Sequence, residues 1–200
     1  MSLSTRNNYT SSTTASIPTR IKTNNISFRF AGVQDIENIS TLAIETYKQT
    51  YSAALPYYTD EVLEQLFGQS FRENVLSKEI NDARYQYIIC EDNGKMIGYS
   101  KLEFKKDSAY LDKLYLLNEY QGKGYGQSLM QACFQSAIAH KFTTMTLNVW
   151  PENKKAINFY SKNGFQSGKV SEFFLFGKIP TGQSDMEMTC EDIRPYITCS

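Results

Sequence analysis

Leu111-Asp112-Lys113-Leu114-Tyr115-Leu116-Leu117, closely followed by Gln121-Gly122-Lys123-Gly124-Tyr125-Gly126, reads as a strand that runs into a glycine loop. Directly after it the apolar period changes from two to 3.6. Leu129, Met130, Cys133, Phe134, Ala137 and Ile138 fall on one face of an amphipathic helix that ends near His140. A helix N-terminus has unpaired N–H groups and a partial positive charge, so it suits a phosphate group. Glycines let the backbone come close to an anion and take positive φ without a Cβ penalty. Lys123 adds a cation. Strand, loop and helix together make a pyrophosphate cradle, against the plain alternative of a glycine-rich helix start without a ligand.

The spacing narrows the ligand. A dinucleotide fingerprint reads GxGxxG, early in a βαβ unit, with a ribose-binding acid about 20 residues on. Here the spacing is GxGxG, the preceding strands form hairpins, and the next strand, Thr143 to Val149, offers no terminal acid. A Walker loop needs Gly-Lys followed by Ser or Thr, which is absent.

Working outward, Ser27 to Ala31 alternates as a first strand, and Asp35 is placed to cap a helix carrying Ile36, Ile39, Leu42, Ala43 and Tyr47. A Tyr-rich stretch from Tyr51 to Tyr58 leads to a second helical region from Thr59 or Asp60, carrying Val62, Leu63, Leu66 and Phe67, with further turns near Phe71 to Ile80. Tyr85 to Cys90 and Lys95 to Phe104 flank Asn93-Gly94, a strong hairpin signal. Ala109 to Leu117 completes an antiparallel meander. A short helix from Asn153 to Asn163 is expected to bury Ala156, Ile157, Phe159 and Tyr160, with Gly164 as its C-cap. Val170 to Phe176 and Met186 to Cys190 are the last strands. The order is β-α-α-β-β-β-α-β-α-β-β, a single α/β domain with a mixed central sheet.

Composition excludes several classes. Apolar residues make up 41% and charged residues 21%, as in soluble globular proteins. Lys plus Arg equals Asp plus Glu at 21 each, so no global field points to nucleic acid or a membrane. Neither is expected as a partner, although Lys105, Lys106 and Lys123 make a minor basic set. Cys90, Cys133, Cys190 and Cys199 form no CxxC, and His140 is the single histidine, so no metal is expected and reduced thiols of a cytoplasmic protein are. Residues 1–25, rich in Ser, Thr and Asn and free of acidic residues, read as a disordered or extension tail rather than a transit peptide. The domain then spans residues 26–193, with 194–200 as a C-terminal extension.

These residues resemble the GNAT superfamily of acyl-CoA-dependent N-acetyltransferases. Its loop, Q/R-x-x-G-x-G/A, is met by Gln121, Gly124 and Gly126. Its later signature, N-x-x-A-x-x-x-Y-x-x-x-G-F, is met by Asn153, Ala156, Tyr160, Gly164 and Phe165. Leu147 to Asn153 and Ile44-Glu45-Thr46-Tyr47 look most similar to bacterial polyamine (spermidine/spermine) N-acetyltransferases. The resemblance implies acetyl-CoA as cosubstrate. Backbone groups of Leu114, Tyr115 and Leu116 would pair with its pantetheine arm as an added strand. N–H groups from Gly122 to Gln127, thus including Lys123, Gly124, Tyr125 and Gly126, would hold the pyrophosphate. Asn153 would bond the arm, and Tyr160 would lie beside the thioester sulfur.

Acetyl transfer to an amine needs a neutral amine, a polarised carbonyl and a proton for the departing thiolate. A Lys-like amine is roughly one part in 2,500 neutral at pH 7, a cost of about 4.6 kcal/mol, so a base or a water path helps. An N–H near Leu116 would stabilise the carbonyl oxygen, and Tyr160 would protonate the sulfur as it leaves. Asn148 stands where some relatives carry a carboxylate, so Asp112 becomes the candidate base, against the alternative of a structural ion-pair partner. Glu45, Tyr47, Tyr51, Tyr57, Tyr58, Asp60 and Glu61 are candidates for the acceptor pocket. The acceptor expected is a small-molecule amine, a polyamine above all, then a peptide N-terminus or protein lysine. The competing class is a non-catalytic acyl-CoA-binding module, and a homodimer is compatible with either.

Overall fold

The computed structural model describes residues 26–51, 70–175 and 179–197. The Asn93-Gly94 signal holds: both residues take positive φ, 50° and 80°, and join β2 (Tyr85–Asp92) to β3 (Lys95–Phe104). Positive φ at both central positions matches the right-handed twist of the flanking strands. β1 (Ile26–Phe30) adds antiparallel to β2, and β4 (Ala109–Leu116) antiparallel to β3. β5 (Met145–Val149) meets β4 in parallel, and β7 (Ile179–Cys190) pairs with both β5 and the edge strand β6 (Gln166–Leu175). The sheet order among the described residues is β1-β2-β3-β4-β5-β7-β6.

Helices cover both faces, which explains why β2 reads as an unbroken apolar run, Tyr87 to Cys90, rather than an alternation. Ile88 and Cys90 share a core with Leu129, Met130, Cys133 and Phe134 of α3 (Tyr125–Ala139). Tyr87 and Ile89 share the opposite core with Ile39 and Ala43 of α1 (Ile36–Tyr51) and Leu76 of α2 (Glu73–Ile80). The architecture is the expected single α/β domain.

Several boundaries differ from the expectation. Asp35 does not cap α1. It closes a 3-10 turn, accepts from Gly32 N–H at 2.8 Å and holds the Arg29 guanidinium through two 2.8 Å bonds. Because Arg29 also pairs with Glu91, the carboxylate staples the entry of α1 to β1 and β2. The apolar residues of α4 (Lys154–Lys162) are half-buried rather than buried. β6 begins earlier than expected, at Gln166, where residues 166–170 are all exposed and carry no alternation to read, and β7 begins at Ile179 rather than Met186. The packed chain also continues past Ile193: Gln131 donates to the Tyr196 carbonyl at 2.7 Å, and Ile197 packs on the core. The tail at residues 1–25 and the helical region from Thr59 to Phe67 lie outside the described residues. Among the described residues, no helix is long and apolar enough to cross a membrane.

Candidate active site

β4 and β5 pair only at Ala109↔Met145 and Tyr110↔Thr146, and beyond that point they diverge. Each keeps its other neighbour, β3 for β4 and β7 for β5, so the facing edges of the two strands are left open. Leu117 N–H donates to Ile97 O of β3 at 3.0 Å. By strand alternation Tyr115 also turns its backbone to β3, while Leu114 and Leu116 turn theirs to the open edge. This corrects the expectation that all three residues serve one ligand edge. The Leu116 carbonyl meets Gln121 Nε2 at 3.0 Å on that side. The gap widens into a cleft of about 950 Å³ running from the glycine loop to Tyr47 and Phe71 at the helix-covered end.

The loop closes one end of the cleft. Gly122 and Gly124 have φ of 76° and 87°, and Gly124 is the N-cap of α3 without any side-chain cap. A Cβ at either glycine would meet nothing within 4 Å, so backbone conformation rather than crowding demands glycine there. The first-turn N–H groups of α3, those of Tyr125, Gly126 and Gln127, have no partner within the helix. Gln127 fixes its side chain on Asn163 of the helix junction, Nε2 to Oδ1 at 2.6 Å. The cradle fits a diphosphate. The Lys123 ammonium, expected to add a cation here, is turned aside: its Nζ lies over the Tyr120 ring, 5.2 Å from the centroid, and the residue is not among those lining the cleft. Lys155 of α4, which the motif reading passed over, reaches the loop instead, with Nζ 2.5 Å from Gln121 Oε1. Its place in the first turn after Asn153 was the signal that could have found it.

Asn153 and Tyr160 both line the cleft. Asn153 caps α4, its Oδ1 accepting from Ala156 N–H at 3.1 Å, which leaves its amide NH₂ as the group for a ligand. Tyr160 sits edge-on to Phe159 and Phe165, with centroids at 5.5 Å and 5.8 Å, so its ring direction is fixed by packing.

Asp112 also lines the cleft, in an arrangement the sequence did not reveal. Lys101 faces Lys113 and Leu102 faces Leu111, so Asp112 is the extra residue of a β-bulge. Its carboxylate is held by Lys113 at 2.6 Å and by Lys101 at 3.0 Å. Lys101 in turn pairs with Glu79 of α2 at 2.7 Å, and Glu79 accepts from the Tyr87 hydroxyl. Burial disfavours the Asp112 charge, but the attraction and hydrogen bonds of Lys113 and Lys101 outweigh it and hold the carboxyl down to about 2. Such a group is a stable anion and a weak base. Of the expected acceptor residues, Tyr47 lines the cleft and Glu45 is exposed on α1, while Tyr57, Tyr58, Asp60 and Glu61 lie outside the described residues, as does the side chain of Tyr51. Burial pushes the Cys90 and Cys133 thiols up to about 12, which leaves them little thiolate for nucleophilic work.

The acetyltransferase (GNAT) family profile matches residues 44–165, which hold the loop, the open edge and Tyr160. The chain belongs to that family. It is an acetyl-CoA-dependent N-acetyltransferase. The spermidine N(1)-acetyltransferase of Thermoplasma acidophilum is 26% identical over 145 residues, which are 70% of this chain and 88% of the relative. The crystal structure of a PaiA N-acetyltransferase from the same organism, in complex with coenzyme A, superimposes with a TM-score of 0.67 at 25% identity, covering 81% of this chain and 97% of that one. The Vibrio cholerae spermidine N-acetyltransferase, solved with CoA and spermine, shares the fold at a TM-score of 0.60 and 23% identity, over 87% of this chain and 99% of that one.

Proposed function

We propose that this acetyltransferase moves acetyl from acetyl-CoA to a primary amine of a polyamine or similar small amine, by direct attack in a ternary complex. One observation carries the reading: a single cleft runs from the glycine loop, past the open edge of β4 and Tyr160, to the helix-covered end at Tyr47 and Phe71. Two substrates that enter from opposite ends meet without a covalent enzyme intermediate. The relatives whose names specify spermidine support the choice of acceptor.

In this reading Leu114 and Leu116 bond the arm, the N–H groups from Gly122 to Gln127 bond the diphosphate, and the Asn153 amide orients the arm between them. The Leu116 N–H stabilises charge developing on the carbonyl oxygen. Tyr160 gives its proton to the sulfur during departure, because a phenol near 10 is too weak an acid to act ahead of it. Asp112, ion-paired to Lys101 and Lys113, positions the bulge electrostatically, and water removes the proton from the attacking ammonium.

The test is Tyr160→Phe. The variant retains acetyl-CoA affinity by calorimetry while kcat falls by about 100-fold, the usual scale for losing a general acid. Undiminished turnover removes Tyr160 from the chemistry.

A further inference from the structure

Three lysines stand near the glycine loop, and their surroundings separate them. Lys123 is turned onto the Tyr120 ring, at 5.2 Å. Lys154 bends back on its own turn, donating to the Pro151 carbonyl at 2.7 Å with Glu152 at 3.9 Å. Lys155 alone among them spans the mouth of the cleft from α4 to the loop, with Nζ 2.5 Å from Gln121 Oε1. Gln121 is held in turn by its own donors, on the Leu116 carbonyl at 3.0 Å and on Asn118 Oδ1 at 3.2 Å. Its amide oxygen is therefore directed at the ammonium. An ammonium has three donors. One meets Gln121, and two remain for a ligand beside the uncapped start of α3.

A diphosphate brings about two negative charges to this place, whereas a helix N-terminus offers only about half a positive charge. We infer that Lys155 is the cation that meets the cosubstrate diphosphate, and that the Lys155–Gln121–Leu116 chain thereby ties α4, the loop and the open edge of β4 together when it binds. The inference rests on the acetyl-CoA reading of the cleft. It names a residue of the first turn of α4, opposite the glycine loop, as a determinant of nucleotide affinity. Lys155 is exposed in the free protein, so the contact is sensitive to salt.

Titration calorimetry with CoA, dephospho-CoA and pantetheine tests it on the wild type, K155M, K155R and K123M. For K155M the Kd for CoA and for dephospho-CoA rises alike by about tenfold or more, the scale of one charge-assisted hydrogen bond. Its salt dependence flattens, pantetheine binding is unchanged, and K155R recovers most of the loss. A thermal melt matching the wild type separates this effect from unfolding. K155M affinities within twofold of wild type overturn the inference. So does a loss confined to CoA, which would place the contact on the 3′-phosphate, or a K123M loss as large as that of K155M. Wild-type protein that bound no CoA would instead overturn the cofactor reading itself.

Discussion

Asp112 shows what a single residue hides from its own sequence. Parity along Leu111 to Leu117 names it as a polar group on the central strand, but a bulge depends on the register of β3, which the strand itself does not encode. The two lysines that neutralise it come one from the next position and one from β3. The consequence is measurable. Its folded-state carboxyl lies at about 2 against an ordinary 3.8, so the ion pairs stabilise the fold fully above pH 4 and lose that contribution as pH falls toward 2. A shift of this size corresponds to on the order of 2 kcal/mol. Asp112→Asn therefore lowers urea-melt stability at pH 7 by about that amount or more, since it also leaves Lys113 without its counter-charge and Lys101 with Glu79 alone. The gap to wild type narrows between pH 4 and pH 2, and a gap that stays constant contradicts the ion-pair account. Lys123 gives the same lesson: the loop motif places it beside the glycines, and only the structure shows its ammonium over the Tyr120 ring while Lys155 of α4 reaches Gln121.

Elements were legible wherever the signal is local. The Asn93-Gly94 turn, the change of period at Gly126 and the Asn153 cap each lie within a few residues, and each gives its element to within about two residues, the usual scatter of element ends. The first parts of β6 and β7, before Val170 and before Met186, were not legible. A strand at the sheet edge whose residues 166–170 are all exposed has no buried face to impose alternation. Gly98 of β3 illustrates how one element shapes the cleft from behind. A Cβ there would sit 2.3 Å from Leu116 Cδ2 and 2.6 Å from the Tyr115 carbonyl oxygen, so β4 must move. Gly98→Ala is expected to cost about 1–3 kcal/mol in chemical denaturation, as overpacking does. Because Leu116 borders the channel, the same variant weakens acetyl-CoA binding. Full stability with unchanged affinity contradicts the close approach.

At the scale of the molecule the working feature is a sheet that comes apart in its middle. Among the described residues, five of six strand pairings are antiparallel, and the parallel one, β4 with β5, holds for two residue pairs before the strands separate. The α3 crossover between those two strands brings the glycine loop to the mouth of the separation, and α4 brings Asn153, Lys155 and Tyr160 to its far wall. The element order foretold the loop-strand-helix succession; the divergence arises from tertiary packing and has no sequence signature. On the proposed reading, a cleft with a phosphate end and an acceptor end, transfer between two bound substrates is the central claim. Free thiol release from acetyl-CoA, followed over a panel of polyamines, amino acids and peptides, tests it most directly. Thiol release that depends on an added small amine, strongest with a polyamine, is the result predicted. Release no faster than the amine-free background with every member of the panel contradicts it.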